Sequence, residues 1–159
     1  MITAYIGLGS NLDQPQEHVL QAMDELDCVP ESWLGKLSSL YISPPMGPQD
    51  QPDYINAVAE LRTRLDANGL LDELQAIEAR HGRVRNEKWG ARTLDLDLLL
   101  YGDQIIDESR LTVPHPGMAQ RAFVLLPLRE IAPLLQIPTL GSIDTLISDS
   151  MEEQARRIQ

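Results

Sequence analysis

Tyr54-Ile55-Asn56-Ala57-Val58-Ala59-Glu60-Leu61-Arg62-Thr63 has the two-residue alternation of a sheet strand. Side chains two apart on a strand share a face. Ile55, Ala57, Ala59 and Leu61 therefore point one way, and Tyr54, Asn56, Val58 and Glu60 the other. Before it, residues 43–53 carry four prolines, which excludes a helix or a central strand there. After it, Leu70, Leu71, Leu74 and Ile77 recur at helical spacing, and the helix is expected to end near His81 with Gly82 as its cap.

Further out, Thr3 to Leu8 reads as a buried strand running into a Gly9-Ser10-Asn11 turn, and Asp13 with Pro15 signals a helix whose apolar face is Val19, Leu20, Met23 and Leu26. Leu34 to Ile42 suits one strand. Leu94 to Tyr101 suits another, turned by Gly102-Asp103 into a hairpin with Ile105-Ile106. Thr112 to Gly117 reads as loop, Phe123 to Ile131 as a helix with Pro127 in its first turn, and Ser142 to Ile147 as a short last helix. Mixed strands and helices with hairpin-compatible links predict an α+β sandwich of one sheet and flanking helices.

The chain has 159 residues and 17.8 kDa, the size of one domain, so residues 1–159 are expected to form a single unit. Hydrophobic residues at 43% and charged residues at 23% are ordinary globular usage, which argues against disorder. No apolar run reaches the roughly 18 residues of a membrane span, and Met1 to Tyr5 lacks the basic start of a secretory signal. Cys28 is the sole cysteine, which forbids an intrachain disulfide and fits a cytoplasmic address. A net charge of −11 argues against nucleic acid or an anionic membrane as partner. The charge is uneven, however. Residues 1–61 hold one basic residue, Lys36, against nine acids, whereas Arg80, Arg83, Arg85, Lys88 and Arg92 fall within 13 positions, enough for a small anion.

Asp95-Leu96-Asp97 is the sharpest chemical signal. On a strand both carboxylates project from one face, roughly 6–7 Å apart, while Leu94, Leu96, Leu98 and Leu100 fill the core behind them. Such a pair can hold two Mg²⁺ ions on phosphate oxygens, and an isolated Asp-x-Asp also occurs on solvated strand faces. Arg83, Arg85, Lys88 and Arg92 just upstream favour the first reading, because guanidinium groups pair with phosphates in bidentate fashion. There is no Gly-x-x-x-x-Gly-Lys-Ser/Thr loop. His18, His81 and His115 are too dispersed for a zinc motif. His18 and His81 are expected at helix surfaces, and His115 lies between Pro114 and Pro116 in the loop.

Lys88-Trp89-Gly90-Ala91-Arg92-Thr93-Leu94-Asp95-Leu96-Asp97-Leu98-Leu99 resembles the signature of the 6-hydroxymethyl-7,8-dihydropterin pyrophosphokinases of folate biosynthesis. Gly9-Ser10-Asn11-Leu12, the run from Pro44 to Asn56, Gly82-Arg83-Val84-Arg85 and Arg110 to His115 extend the resemblance over about residues 3–135. It implies a ferredoxin-like α/β sandwich with a mainly antiparallel sheet, and a monomer that moves pyrophosphate from ATP to the pterin hydroxymethyl group, releasing AMP. Carried over, Asp95 and Asp97 ligate two Mg²⁺ ions, and Arg83 and Arg92 act on the phosphates. Gln75, Glu78, Arg85, Trp89, Leu98, Arg110, Thr112, His115 and Arg121 match nucleotide-side positions. Tyr54 and Phe123 would sandwich the pterin, Asn56 would bond its edge, and Ser43, Pro44 and Met46 would complete the pocket. Loops 9–14, 43–53 and 82–92 would close over the substrates. Ser43 and Met46 stand where threonine and leucine are usual, Asn86 where a lysine often follows the arginine, and Pro116 where an aromatic often follows the histidine. The segment after about residue 136 matches nothing in the family. Two other classes stay open on the same residues: a different ATP-dependent phosphoryl or nucleotidyl transferase, and a catalytically silent pterin- or nucleotide-binding module.

Overall fold

A computed structural model describes residues 1–44, 52–82 and 93–158. Its chain order is β1 (Ile2–Ser10), α1 (Pro15–Leu26), β2 (Ser32–Leu37), β3 (Tyr41–Ser43), β4 (Tyr54–Thr63), α2 (Ala67–Arg80) and β5 (Asp95–Tyr101). The short pair β6 (Ile106–Asp107) and β7 (Thr112–Val113) follows, then α3 (Ala122–Ile131), β8 (Gln136–Ile137), β9 (Gly141–Ser142), α4 (Ile143–Leu146) and β10 (Arg156–Arg157). The main sheet is antiparallel, in the order β10-β3-β4-β1-β5, with β2 paired to the other half of β4's outer edge. Among the first seven elements, β1-α1-β2 and β4-α2-β5 are two strand-helix-strand units, the ferredoxin-like α+β arrangement, with β3 as an added short strand between them in sequence.

The alternation of β4 works as its sequence implies. Ile55, Ala57, Ala59 and Leu61 join the core under α1 and α2, with Val19, Met23 and Leu26 from one helix and Leu70, Leu74 and Ile77 from the other. Val58 faces the opposite side, where α3 packs through Val124, Leu125 and Leu128. α1 begins at Pro15, whose fixed φ and missing N–H suit a first helical position. α2 is capped by the Asp66 carboxylate, which accepts the Gly69 N–H at 2.7 Å. At its far end Gly82 takes φ of 76°, the left-handed turn that glycine permits.

Six local expectations are corrected. Residues 34–42 are two strands, because the chain steps off the ladder at Ser38, whose N–H donates to the Val58 carbonyl while its hydroxyl accepts the Val58 N–H, both at 2.9 Å. β1 continues through Gly9 and Ser10, which are paired residues and not a turn. Ile106 pairs with Val113 in β7, not with β5, so part of the expected 112–117 loop is strand. Pro127 is the sixth residue of α3, in its second turn, and lacks the N–H that would bond the Phe123 carbonyl. His18 and His81 do not lie apart on helix surfaces: their Nδ1 atoms are 2.6 Å apart across α1 and α2, and His81 Nε2 pairs with Glu25.

The sixth concerns β5. Tyr5 pairs with Leu100 but Ile6 pairs with Leu98, so Leu99 is an extra residue, a β-bulge. The alternation reverses there. Leu94, Leu96 and Leu98 lie in the core beneath α1 and α2, whereas Leu99 and Leu100 lie under α3.

Candidate active site

On the α3 side of the sheet, the in-register rows are Asn56–Gly9–Asp95 and Val58–Gly7–Asp97. The central strand β1 thus offers two glycines where its neighbours offer side chains. With strands about 4.8 Å apart, the missing side chains open a trough some 9–10 Å across between Asn56 and Asp95. The resulting cleft, with the solvent at its open mouth included, encloses about 660 Å³. Gly7 and Gly9 form its floor, Tyr54, Asn56 and Pro44 one wall, Asp95 and Asp97 the other, and Arg121 and Phe123 from the start of α3 overhang it.

Each wall is braced. Asn56 and Ser43 are both buried, and the Ser43 hydroxyl donates to Asn56 Oδ1 at 2.8 Å. That bond fixes Oδ1 as the inward acceptor and turns Nδ2 over Gly9, where a Cβ would come within 2.9 Å of it. On the opposite wall, the buried Glu78 carboxylate accepts the Leu96 N–H at 2.8 Å. It ties α2 to the residue between the two aspartates, on the strand edge that β1 leaves free. The bulge at Leu99 adds a third brace, since its carbonyl accepts the His115 N–H at 2.9 Å. This holds the imidazole with Nε2 3.9 Å from an Asp97 oxygen. Burial pushes the His115 pKa down and the Arg121 guanidinium lowers it further, against an upward pull from the Pro116 carbonyl and Asp95, so the ring is neutral near pH 7.

The residues singled out from sequence divide accordingly. Tyr54, Asn56, Pro44, Asp95, Asp97, Arg121 and Phe123 line one cleft, with Ser43 and His115 directly behind its walls. Gln75 and Arg110 meet each other away from that lining, the Arg110 guanidinium donating to Gln75 Oε1 at 3.3 Å and pairing with Asp72. Thr112 is exposed on β7. Leu98 is 2% exposed, with its side chain in the core, so only its main chain could meet a ligand. Arg83, Arg85, Trp89, Arg92 and Met46 lie outside the described residues. Sequence reading missed Gly7 and Gly9 as the floor. The available signal was a Gly-x-Gly inside an otherwise apolar strand, a pattern that marks close approach of a ligand or another backbone.

Asp95 and Asp97 are both part-exposed at the cleft, as metal-binding carboxylates must be. Among the described residues no cluster of three or more His, Cys, Asp or Glu could hold a metal. Two hard oxygen donors without a closed ligand cage suit Mg²⁺, which keeps several waters and takes further oxygens from substrate phosphates. A sheet-borne cleft with a flat glycine floor, aromatic sides and a carboxylate pair at one edge defines a small-molecule enzyme of the α+β class.

The comparisons with known proteins narrow that class. The family model described as 7,8-dihydro-6-hydroxymethylpterin-pyrophosphokinase (HPPK) matches residues 5–133. Two curated relatives named 2-amino-4-hydroxy-6-hydroxymethyldihydropteridine pyrophosphokinase are similar over nearly their whole length. One, from Haemophilus influenzae, is 53% identical over 147 residues, 92% of each chain. The other, from Pseudomonas aeruginosa, is 54% identical over 154 residues, 97% of this chain and 95% of the relative. The chain belongs to the HPPK family of pyrophosphokinases. Among solved structures, the Plasmodium falciparum HPPK-DHPS wild type with pteroate superposes with a TM-score of 0.73 at 16% identity, covering 99% of this chain and 46% of that longer one, which supports the fold.

Proposed function

We propose that the protein transfers pyrophosphate from ATP to the hydroxyl of 6-hydroxymethyl-7,8-dihydropterin in folate synthesis, in a Mg²⁺-dependent reaction that yields the pterin diphosphate and AMP. The observation that carries this reading is the pair of rows across the sheet: a hydrogen-bonding amide at Asn56, a flat floor at Gly9 and Gly7, and carboxylates at Asp95 and Asp97. A planar heterocycle lying on the glycines between Tyr54 and Phe123 would meet Asn56 at one edge and extend its hydroxymethyl group toward the aspartates. Aromatic faces stack on a flat ring, and a buried polar edge demands paired donors and acceptors, so an analogue lacking them is rejected.

The pterin oxygen then attacks the β-phosphorus, the bond from that phosphorus to the bridging oxygen of AMP breaks, and the hydroxyl proton is released. Asp95 and Asp97 would hold the magnesium, which when bound would supply charge neutralisation on the phosphates and polarisation of the β-phosphorus. Arg121, Arg110, Gln75, Thr112, His115 and the backbone at Leu98 form the nucleotide side, joined by Arg83, Arg85, Trp89 and Arg92. Glu78 acts there through the strand it holds. A neutral His115 beside Asp97 can donate a hydrogen bond without competing with a cation for the carboxylate. The chain is read as one monomeric cytoplasmic domain. No helix among the described residues is long and apolar enough to cross a membrane.

Incubation with ATP, Mg²⁺ and the reduced pterin, followed by identification of the nucleotide product, tests the proposal. AMP supports it, ADP would indicate a simple kinase, and free pyrophosphate a nucleotidyl transferase. Asp97→Ala is expected to lower turnover by at least about 100-fold with a native circular dichroism spectrum. Near-normal activity in that variant would refute the metal assignment.

A further inference from the structure

The chain beyond Ile131 leaves α3, and the segment after about residue 136 had no role in the sequence reading. In the structure it returns to the main sheet as β10, with Arg157 opposite Tyr41, Arg156 opposite Ile42, and the Ile158 N–H donating to the Leu40 carbonyl at 2.7 Å. Ala155 is buried there against Tyr41 and the α3 residues Ala122 and Leu126.

Glu130, in the last turn of α3, joins these pieces. Its carboxylate accepts the Ser39 N–H at 3.0 Å, the Ser39 hydroxyl at 2.9 Å and the Tyr41 hydroxyl at 2.8 Å, and it faces Arg157 Nη2 at 3.6 Å. Glu130 follows Phe123 by seven residues, two helical turns, so both lie on one side of α3 about 10 Å apart along its axis. Tyr41 precedes Ser43 by two residues on β3, so both share a strand face. A single anionic side chain therefore connects the helix that carries Phe123 to the strand that carries Ser43. α3 otherwise rests on the sheet mainly through apolar contacts, which are non-directional, whereas charge-assisted hydrogen bonds fix both distance and direction.

We propose that Glu130, through Tyr41, Ser39 and the C-terminal strand residue Arg157, is a strut that sets the separation of Phe123 from the Ser43–Asn56 wall. Glu130, Tyr41 and Arg157 are then positioning residues for the pterin, and the C-terminal segment is part of the pocket's support. The inference rests on reading that cleft as the pterin pocket.

Steady-state kinetics on the full chain test it, with melting temperature measured in parallel and assays run well below it. Glu130→Ala is expected to raise KM for the pterin about 10-fold, and Tyr41→Phe and Arg157→Ala about 3-fold, with kcat and KM for ATP within twofold of wild type. Glu130→Gln, which keeps one acceptor oxygen, should recover part of the loss. If Glu130→Ala folds poorly, Tyr41→Phe removes one hydroxyl and carries the test. A pterin KM unchanged in Tyr41→Phe and Glu130→Ala overturns the strut, as does a proportional loss in both substrates that tracks the melting temperature. Asn56→Ala separates the strut from the pocket: loss of pterin affinity in it with none in the strut variants refutes the strut alone, and no loss in Asn56→Ala refutes the pocket assignment and the strut with it.

Discussion

Gly9→Ala isolates the floor of the cleft from everything around it. The φ of Gly9 is not in the left-handed region, so alanine is tolerated by the backbone, and replacing glycine within a strand costs nothing in chain entropy. The added Cβ would sit 2.9 Å from Asn56 Nδ2, while the next nearest atoms, in Ile55 and Tyr54, are 3.9 Å away. The collision is thus with one amide on the β4 side, and none of the three nearest atoms belongs to the aspartates. The least costly relief is rotation of Asn56, which breaks its 2.8 Å bond from Ser43. Losing one neutral hydrogen bond costs about 1 kcal/mol, a fall in melting temperature of roughly 2–4 °C for a chain this size. On the proposed reading of Asn56 as the pterin's edge partner, the functional cost is larger, because the misdirected amide would leave a buried polar edge of the pterin without its partner. That penalty is about 1–3 kcal/mol, or roughly 5- to 150-fold in pterin affinity. Steady-state KM for pterin and for ATP, with thermal melts, reads both. A pterin KM within twofold of wild type, or an equal rise in both KM values, would show that Gly9 does not serve to seat Asn56.

Glu78→Ala leaves the buried Leu96 N–H without its acceptor and should cost about 1–3 kcal/mol, lowering the melting temperature by roughly 3–10 °C and slowing turnover through the displaced aspartates; a stable, fully active variant would contradict the brace. The pH dependence of Glu130 has a defined sign. Burial raises its pKa, but the Tyr41 and Ser39 hydrogen bonds and Arg157 together outweigh this and hold it below the usual 4.5. Its contribution to stability is therefore present above that value and lost as the pH falls through the lower folded-state pKa. The melting-temperature gap between wild type and Glu130→Gln should be widest near neutrality and close as the pH falls through that depressed folded-state pKa; a gap constant across that range would show that the carboxylate charge contributes nothing.

Features that depend on local period were legible in the amino-acid order alone. The two faces of Tyr54–Thr63, the Leu70, Leu71, Leu74 and Ile77 helix with its Gly82 cap, and the projection of Asp95 and Asp97 from one strand face all follow from spacing of 2.0 or 3.6 residues. They hold in the structure because tertiary packing agrees with them. The long motif around Asp95 likewise sufficed to indicate the family. Tertiary structure decided what depends on a partner strand or a distant side chain. The bulge at Leu99 is a choice of register against β1, so no spacing within β5 announces it, yet it reverses the side-chain alternation and supplies the carbonyl that holds His115. Ser38 breaks a strand because Val58 is there to bond it. His18 and His81 meet only because α1 and α2 lie side by side. Gly7 and Gly9 become a binding floor only once β1 is seen to run between β4 and β5, since the use of an absent side chain is defined by the neighbours that keep theirs.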